Sequence, residues 1–128
     1  MKTKIETNKA PKPKPTSKYS QAIVDGNMIY TAGQIHLTPD GKLLEGTIEE
    51  QTHQVMKNLE AILKEAEATF ASVVKTTAYI TDMSNYEKVV GVYGSYISEP
   101  YPARETVCVK ELPLGAKVEI SMIAVKNS

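Results

Sequence analysis

Thr47-Ile48-Glu49-Glu50 opens a run in which Ile48, Val55, Leu59, Ile62, Leu63, Ala66 and Phe70 return at helical intervals. A Thr three residues ahead of a Glu fits a reciprocal cap: the hydroxyl accepts an orphan N–H and the carboxylate reaches back to the Thr N–H. The pattern predicts an amphipathic helix of several turns, with Glu49, His53, Lys57, Glu60 and Lys64 on its other face. Such a helix has to bury its apolar stripe against another layer, so the segments around it must supply a sheet or a second helix.

They supply both. Residues 20–24 and 28–33 are apolar runs either side of Asp25-Gly26-Asn27, which predicts a β-hairpin. Thr38-Pro39-Asp40-Gly41 is a further turn signal. After the helix, VVKTTAYIT (73–81) is rich in β-branched side chains and suits a strand. Ser84-Asn85-Tyr86-Glu87 has the form of a second capping box. Tyr86, Val89, Val90, Tyr93, Tyr96 and Ile97 then share one helical stripe, weakened intrinsically by Gly91 and Gly94 and ended by Pro100 and Pro102. Residues 104–110 and 117–125 read as two closing strands around a turn at Leu112–Ala116. The order ββ-α-β-α-ββ does not alternate strictly, so an α+β sheet with both helices on one face is expected. The other face then needs cover, and some apolar surface is left for partners.

A chain of 128 residues is one domain long. Residues 1–18 carry Lys2, Lys4, Lys9, Lys12, Lys14 and Lys18 against Glu6, with Pro11, Pro13 and Pro15 favouring extended backbone. The expected division is a flexible basic tail over 1–18 and a single domain over 19–128. The formal net charge is zero, so no global field recruits nucleic acid or an anionic membrane. No apolar run reaches membrane-spanning length, the N-terminus lacks a secretory pattern, and Cys108 is the only cysteine, so no internal disulfide forms. These absences point to the cytoplasm.

Chemistry has few candidates. His36 and His53 lie in different elements, and the i,i+4 pair Glu49/His53 supplies two ligands at most, which does not make a metal site. Cys108 sits in an apolar strand, where a buried structural thiol is expected. Phosphate-binding glycine loops and nucleophile-elbow motifs are missing. Arg104 is the one arginine among fifteen basic side chains and follows the rigid Pro102-Ala103 step. Its planar donor fork fits a carboxylate, or it forms a surface ion pair. Glu119 interrupts the run Val118, Ile120, Met122 and Ile123. It is either a solvent-facing or salt-bridged carboxylate, or, in a partly dry cleft, a group that activates water.

The stretch YPARETVCVKELPLGAKVEISMIAV (101–125) resembles the signature of the RidA/YjgF family, in the order P-A-R, L-P, V-E-I. The resemblance extends through 19–35, QTHQVMKNLEAIL and VVKTTAYITDM (73–83), and covers the chain from about residue 8. It implies a chorismate-mutase-like α+β fold. It also implies a homotrimer with a barrel-like core, sheets inward and helices outward, and ligand clefts between subunits. The implied activity is cofactor-free hydrolysis of 2-aminoacrylate-type enamines and 2-imino acids to 2-keto acids and ammonia. By the same resemblance Arg104 clamps the substrate carboxylate and Glu119 orients the catalytic water and shuttles protons. Tyr19 lines the cleft, Gly33 approaches the ligand, and Thr106 stands where members often carry a small polar or thiol residue. No metal is implied.

Two single positions and one short segment depart from the pattern. Ala32 stands where many members have Ser, and Val90 where they commonly have Asn; the approach to Tyr19 reads Thr-Ser-Lys rather than Ile-Gly-Pro. These changes leave open a non-catalytic trimer that binds keto or imino acids as a regulator. Ribonuclease and translation-inhibition roles attach to some relatives, but the neutral charge balance argues against nucleic acid here.

Overall fold

The computed structural model describes residues 1–127. Six strands form one sheet, β1 (Thr3–Ile5), β2 (Ala22–Asp25), β3 (Met28–Thr31), β4 (Val73–Ile80), β5 (Ala103–Cys108) and β6 (Val118–Val125), in the order β1-β2-β3-β6-β4-β5. All neighbours are antiparallel except β4 and β5, which are parallel. The parallel pair requires a crossover, and α2 (Tyr86–Gly94) lies in it. The long helix α1 (Ile48–Glu65) connects β3 to β4.

Both helices cover one face, as an α+β arrangement requires. Along β6, Val118, Ile120, Met122 and Ala124 are buried, while Glu119, Ser121, Ile123 and Val125 on the alternate face are half-exposed. The buried set packs with Val55, Met56, Leu59, Ile62 and Leu63 of α1 and with Val89 and Tyr93 of α2. Truncating one such aliphatic side chain to Ala costs about 2–5 kcal/mol. The opposite face presents Tyr30, Lys75, Thr77, Ser121 and Ile123 around a shallow concavity. No described helix is long and apolar enough to cross a membrane.

The α1 cap forms as its sequence dictates. Glu50 N–H donates to Thr47 Oγ1 (3.1 Å) and Thr47 N–H to the Glu50 carboxylate (2.8 Å). The second capping box does not form. Asp82 instead accepts from the Ser84 N–H and hydroxyl, capping a short 3-10 turn that leads into α2. With its N–H and hydroxyl both given to Asp82, Ser84 is inside the earlier turn and the cap lies upstream of the expected one. α2 ends at Gly94, and Tyr96 and Ile97 follow in a turn. Phe70 likewise lies beyond α1, in a 3-10 turn over 70–72 that Thr69 and Ser72 cap reciprocally.

The N-terminal segment is not a solvated tail. β1 pairs with β2, and Thr7 and Ala10 are buried. The cause is Gln21, itself buried, whose amide accepts from Thr7 N–H (2.7 Å) and donates to the carbonyls of Thr7, Ala10 and Pro11. Proline-spaced backbone, which has no partners of its own, obtains them from one side chain. Lys4 and Lys12 both pair with Glu6, so part of the basic charge is neutralised locally.

Candidate active site

Arg104 is the second residue of β5, opposite buried Thr76 in the parallel register, so its side chain leaves the sheet on the helix side. β5 is the edge strand, and there the guanidinium meets α2 rather than the core. Tyr86, Val90 and Tyr93 are spaced i, i+4, i+7 and share a face of α2. Arg104 Nη2 donates to the Tyr86 hydroxyl at 3.1 Å, and its Cζ lies 5.7 Å from the centroid of the Tyr93 ring. The Tyr93 hydroxyl donates to Thr76 Oγ1 at 3.0 Å, which locks that ring as a platform. The adjacent carboxylate, Glu105, points to the other face and pairs with Lys75 at 2.8 Å. Arg104 therefore makes no salt bridge among the described residues. Beside it opens a cleft of ≈ 440 Å³ bounded by Val90, Gly94, Ile97, Tyr101 and Pro102.

Glu119 lies opposite Tyr79, on the face without helices. Its position depends on an irregularity in the neighbouring segment. Tyr30 opposes Ile123 but Gln34 opposes Ile120, so four steps on one side meet three on the other. The extra residue makes a bulge at 31–33, a device that re-aims groups beside functional sites. Thr31 Oγ1 takes the Met122 N–H, Ala32 N–H bonds the Gln21 carbonyl, and Gln34 exchanges both backbone bonds with Ile120. Gly33 is thereby held under the Glu119 carboxyl. A Cβ built there would lie 2.8 Å from Glu119 Cδ, and one carboxylate oxygen is nearer still. Burial, with no compensating cation, raises the Glu119 pKa above its ordinary value.

The model for the family described as Endoribonuclease L-PSP matches residues 8–126. A RutC family protein of Pyrococcus abyssi is 45% identical over 124 residues, 96% of each chain. The chloroplastic Reactive Intermediate Deaminase A of Arabidopsis thaliana is 42% identical over 94% of this chain and 64% of its own. The crystal structure of YyfA from Yersinia pestis, a member of the conserved Rid protein family, superposes with a TM-score of 0.93. It is 45% identical, over 98% of this chain and 99% of that one. The chain belongs to the RidA/YjgF family.

Within one chain of this Rid protein the expected site residues fall into two groups. Arg104, Val90 and the unforeseen Tyr86 and Tyr93 sit at the β5–α2 edge; Glu119, Gly33 and Ala32 sit at the bulge on the opposite face. Thr106 is on the Arg104 side of β5, opposite Ala78, and its buried Oγ1 has no partner. Tyr19 is 56% exposed and lines a groove with the N-terminal segment and Gln21, in neither group. Cys108 is exposed rather than buried, because β5 is an edge with no strand beyond it. His53 bonds the Tyr96 hydroxyl (2.7 Å) instead of forming a pair with Glu49. His36 is buried and structural: Nδ1–H donates to Leu44 O and Nε2 accepts the Lys117 N–H, each at 3.0 Å. No three His, Cys, Asp or Glu side chains converge among the described residues.

Proposed function

We propose that the protein hydrolyses reactive enamine and imine acids, 2-aminoacrylate and 2-imino acids, to 2-keto acids and ammonia. The observation that carries this reading is the lone guanidinium beside an open cleft without an acidic partner. A carboxylate completes it by two parallel hydrogen bonds. The imine carbon is already electrophilic, so the enzyme's work is positioning. Water adds to that carbon, the C–N bond breaks, and ammonia leaves. Glu119, its pKa raised by burial, takes a proton from the attacking water and returns one to the departing nitrogen.

Arg104 and Glu119 leave one sheet on opposite faces, so one copy does not assemble this chemistry. We read the protein as a homotrimer, the β5 edge of one protomer meeting the bulge of the next. The uncovered face, with exposed Tyr30 and Val107 and half-exposed Tyr79 and Ile123, supports that packing. The deaminase name of the Arabidopsis relative supports the activity. A coupled assay with an enzyme that generates 2-aminoacrylate tests it. Keto-acid release faster than the uncatalysed rate, lost in Arg104→Ala, is expected. Release at the uncatalysed rate with micromolar protein rejects it. Light scattering should give the mass of three 14.1 kDa chains.

A second reading, a binding trimer without turnover, draws on Ala32 and Val90, which add no polar group to either half of the site. Keto-acid binding without imine hydrolysis would select it. For nucleic acid, the lysine-rich segment that would serve as an arm is folded onto the sheet, with Lys4 and Lys12 neutralised by Glu6.

A further inference from the structure

The segment that carries Gly33 is fastened to β6 on either side of Glu119. On one side Gln34 exchanges both backbone bonds with Ile120. On the other, His36 Nε2 accepts the Lys117 N–H at 3.0 Å. The same ring donates from Nδ1–H to Leu44 O at 3.0 Å, and the Leu44 N–H returns to His36 O at 2.8 Å. One imidazole thus closes the 36–44 loop and ties it to the entry of β6. His36 is 1% exposed, so bulk water does not replace either partner once it is lost.

The neutral ring alone can make both bonds. A carbonyl at Nδ1 and an N–H at Nε2 fix its tautomer. A second proton, on Nε2, would face the Lys117 N–H, donor against donor, and the fastening would open. Burial holds the His36 pKa below its ordinary value; the Lys117 charge acts the same way and the Glu45 charge opposes it. From α1 the neighbours are neutral amides, Gln51 at Leu44 O and Asn58 at the carbonyls of Ile35 and Leu37.

We propose that neutral His36 is a positioning residue for Glu119, holding the 33–36 segment in register under the carboxyl, and that protonation of the ring releases it. This rests on Glu119 carrying protons in the deaminase reading. β6 stays paired with β4 when the Lys117 link opens, so the part that shifts is the segment in contact with the carboxyl.

Kinetics of His36→Asn and His36→Gln in the 2-aminoacrylate-coupled assay test the proposal, with the uncatalysed rate subtracted at each pH. The Asn amide reaches the Nδ1 position and keeps the Leu44 bond but falls short of Lys117. The Gln amide reaches the Nε2 position, where its oxygen accepts the Lys117 N–H and does not titrate. His36→Asn should lower kcat about tenfold, for a displacement well under 1 Å. Its KM and keto-acid affinity should stay near wild type, because Arg104 lies on the opposite face. His36→Gln should recover most of the lost kcat. The acid limb of the wild-type kcat profile should report two protons, on Glu119 and on His36, and that of His36→Gln one. Equal acid limbs in those two proteins overturn the proposal, and this comparison decides even where His36→Asn does not fold. A folded His36→Asn with wild-type kcat also overturns it, while leaving the deaminase reading standing. A wild type without turnover overturns both.

Discussion

Gly33→Ala acts directly on the position of Glu119. The new Cβ would stand 2.8 Å from Glu119 Cδ and 3.0 Å from Cγ, with a carboxylate oxygen closer than either. Ordinary carbon contacts begin near 3.5 Å, so the carboxyl must swing outward by about 1 Å or more. The main chain at Gly33 is not left-handed, so Ala is tolerated there without backbone strain. Its smaller unfolded-state entropy adds about 0.4–1 kcal/mol of stability. A misplacement of about 1 Å in a catalytic group costs on the order of a hundredfold in rate, or about 2.7 kcal/mol of barrier. The expected result is a kcat about a hundredfold lower, an unchanged or slightly raised Tm, and keto-acid binding through Arg104 within a few-fold of wild type. The double variant with Glu119→Gln should be no slower than Glu119→Gln alone, because the two changes remove one interaction. A folded Gly33→Ala protein with wild-type kcat would show that the Glu119 position is immaterial to the chemistry.

Three further outcomes follow from polar groups that are buried or half-buried. Gln21→Ala should free the N-terminal segment, costing about 2–3 kcal/mol for its lost buried hydrogen bonds; amide exchange at residues 3–10 should become fast, and unchanged protection there would refute the anchor. Burial lowers the His36 pKa from 6.5, so its contribution to stability is present above that value and is lost as pH falls below it toward the folded value. His36→Gln should flatten this part of a Tm-against-pH curve, and an unaltered slope would contradict the assignment. Burial raises the Glu119 pKa from 4.5, so the folded state holds that proton more tightly and stability is lost as pH rises through the folded value. Glu119→Gln should therefore melt higher than wild type at pH 7 and match it at pH 4, while losing turnover.

Most of the fold was legible because its periodicities are strong. The α1 stripe, the Thr47–Glu50 cap, the hairpin at Asp25–Met28 and the alternation of β6 each follow from short-range physics that the sequence displays. Gly26 takes φ +63° in the two-residue turn, as that turn requires. The missed features depend on contacts distant in sequence. Gln21 looks like a surface residue until the segment it anchors folds over it, and so the first eighteen residues were expected to be a tail. The exposure of Cys108 depends on strand order, since an apolar VCV triplet has the same composition at an edge as in the centre. Arg104 and Glu119 were singled out as candidates through the family pattern, but their separation onto two faces is set by sheet register. Tyr86 and Tyr93 were read only as part of one helical stripe, and the edge position of β5 gives them the guanidinium.

The most direct measurement is calorimetric titration of 2-ketobutyrate into the wild-type protein and into Arg104→Ala and Arg104→Lys. Saturable binding to the wild type is expected, abolished by Ala and weakened by Lys, which keeps the charge but not the planar fork. Equal affinity in all three proteins would contradict the claim that Arg104 grips a carboxylate.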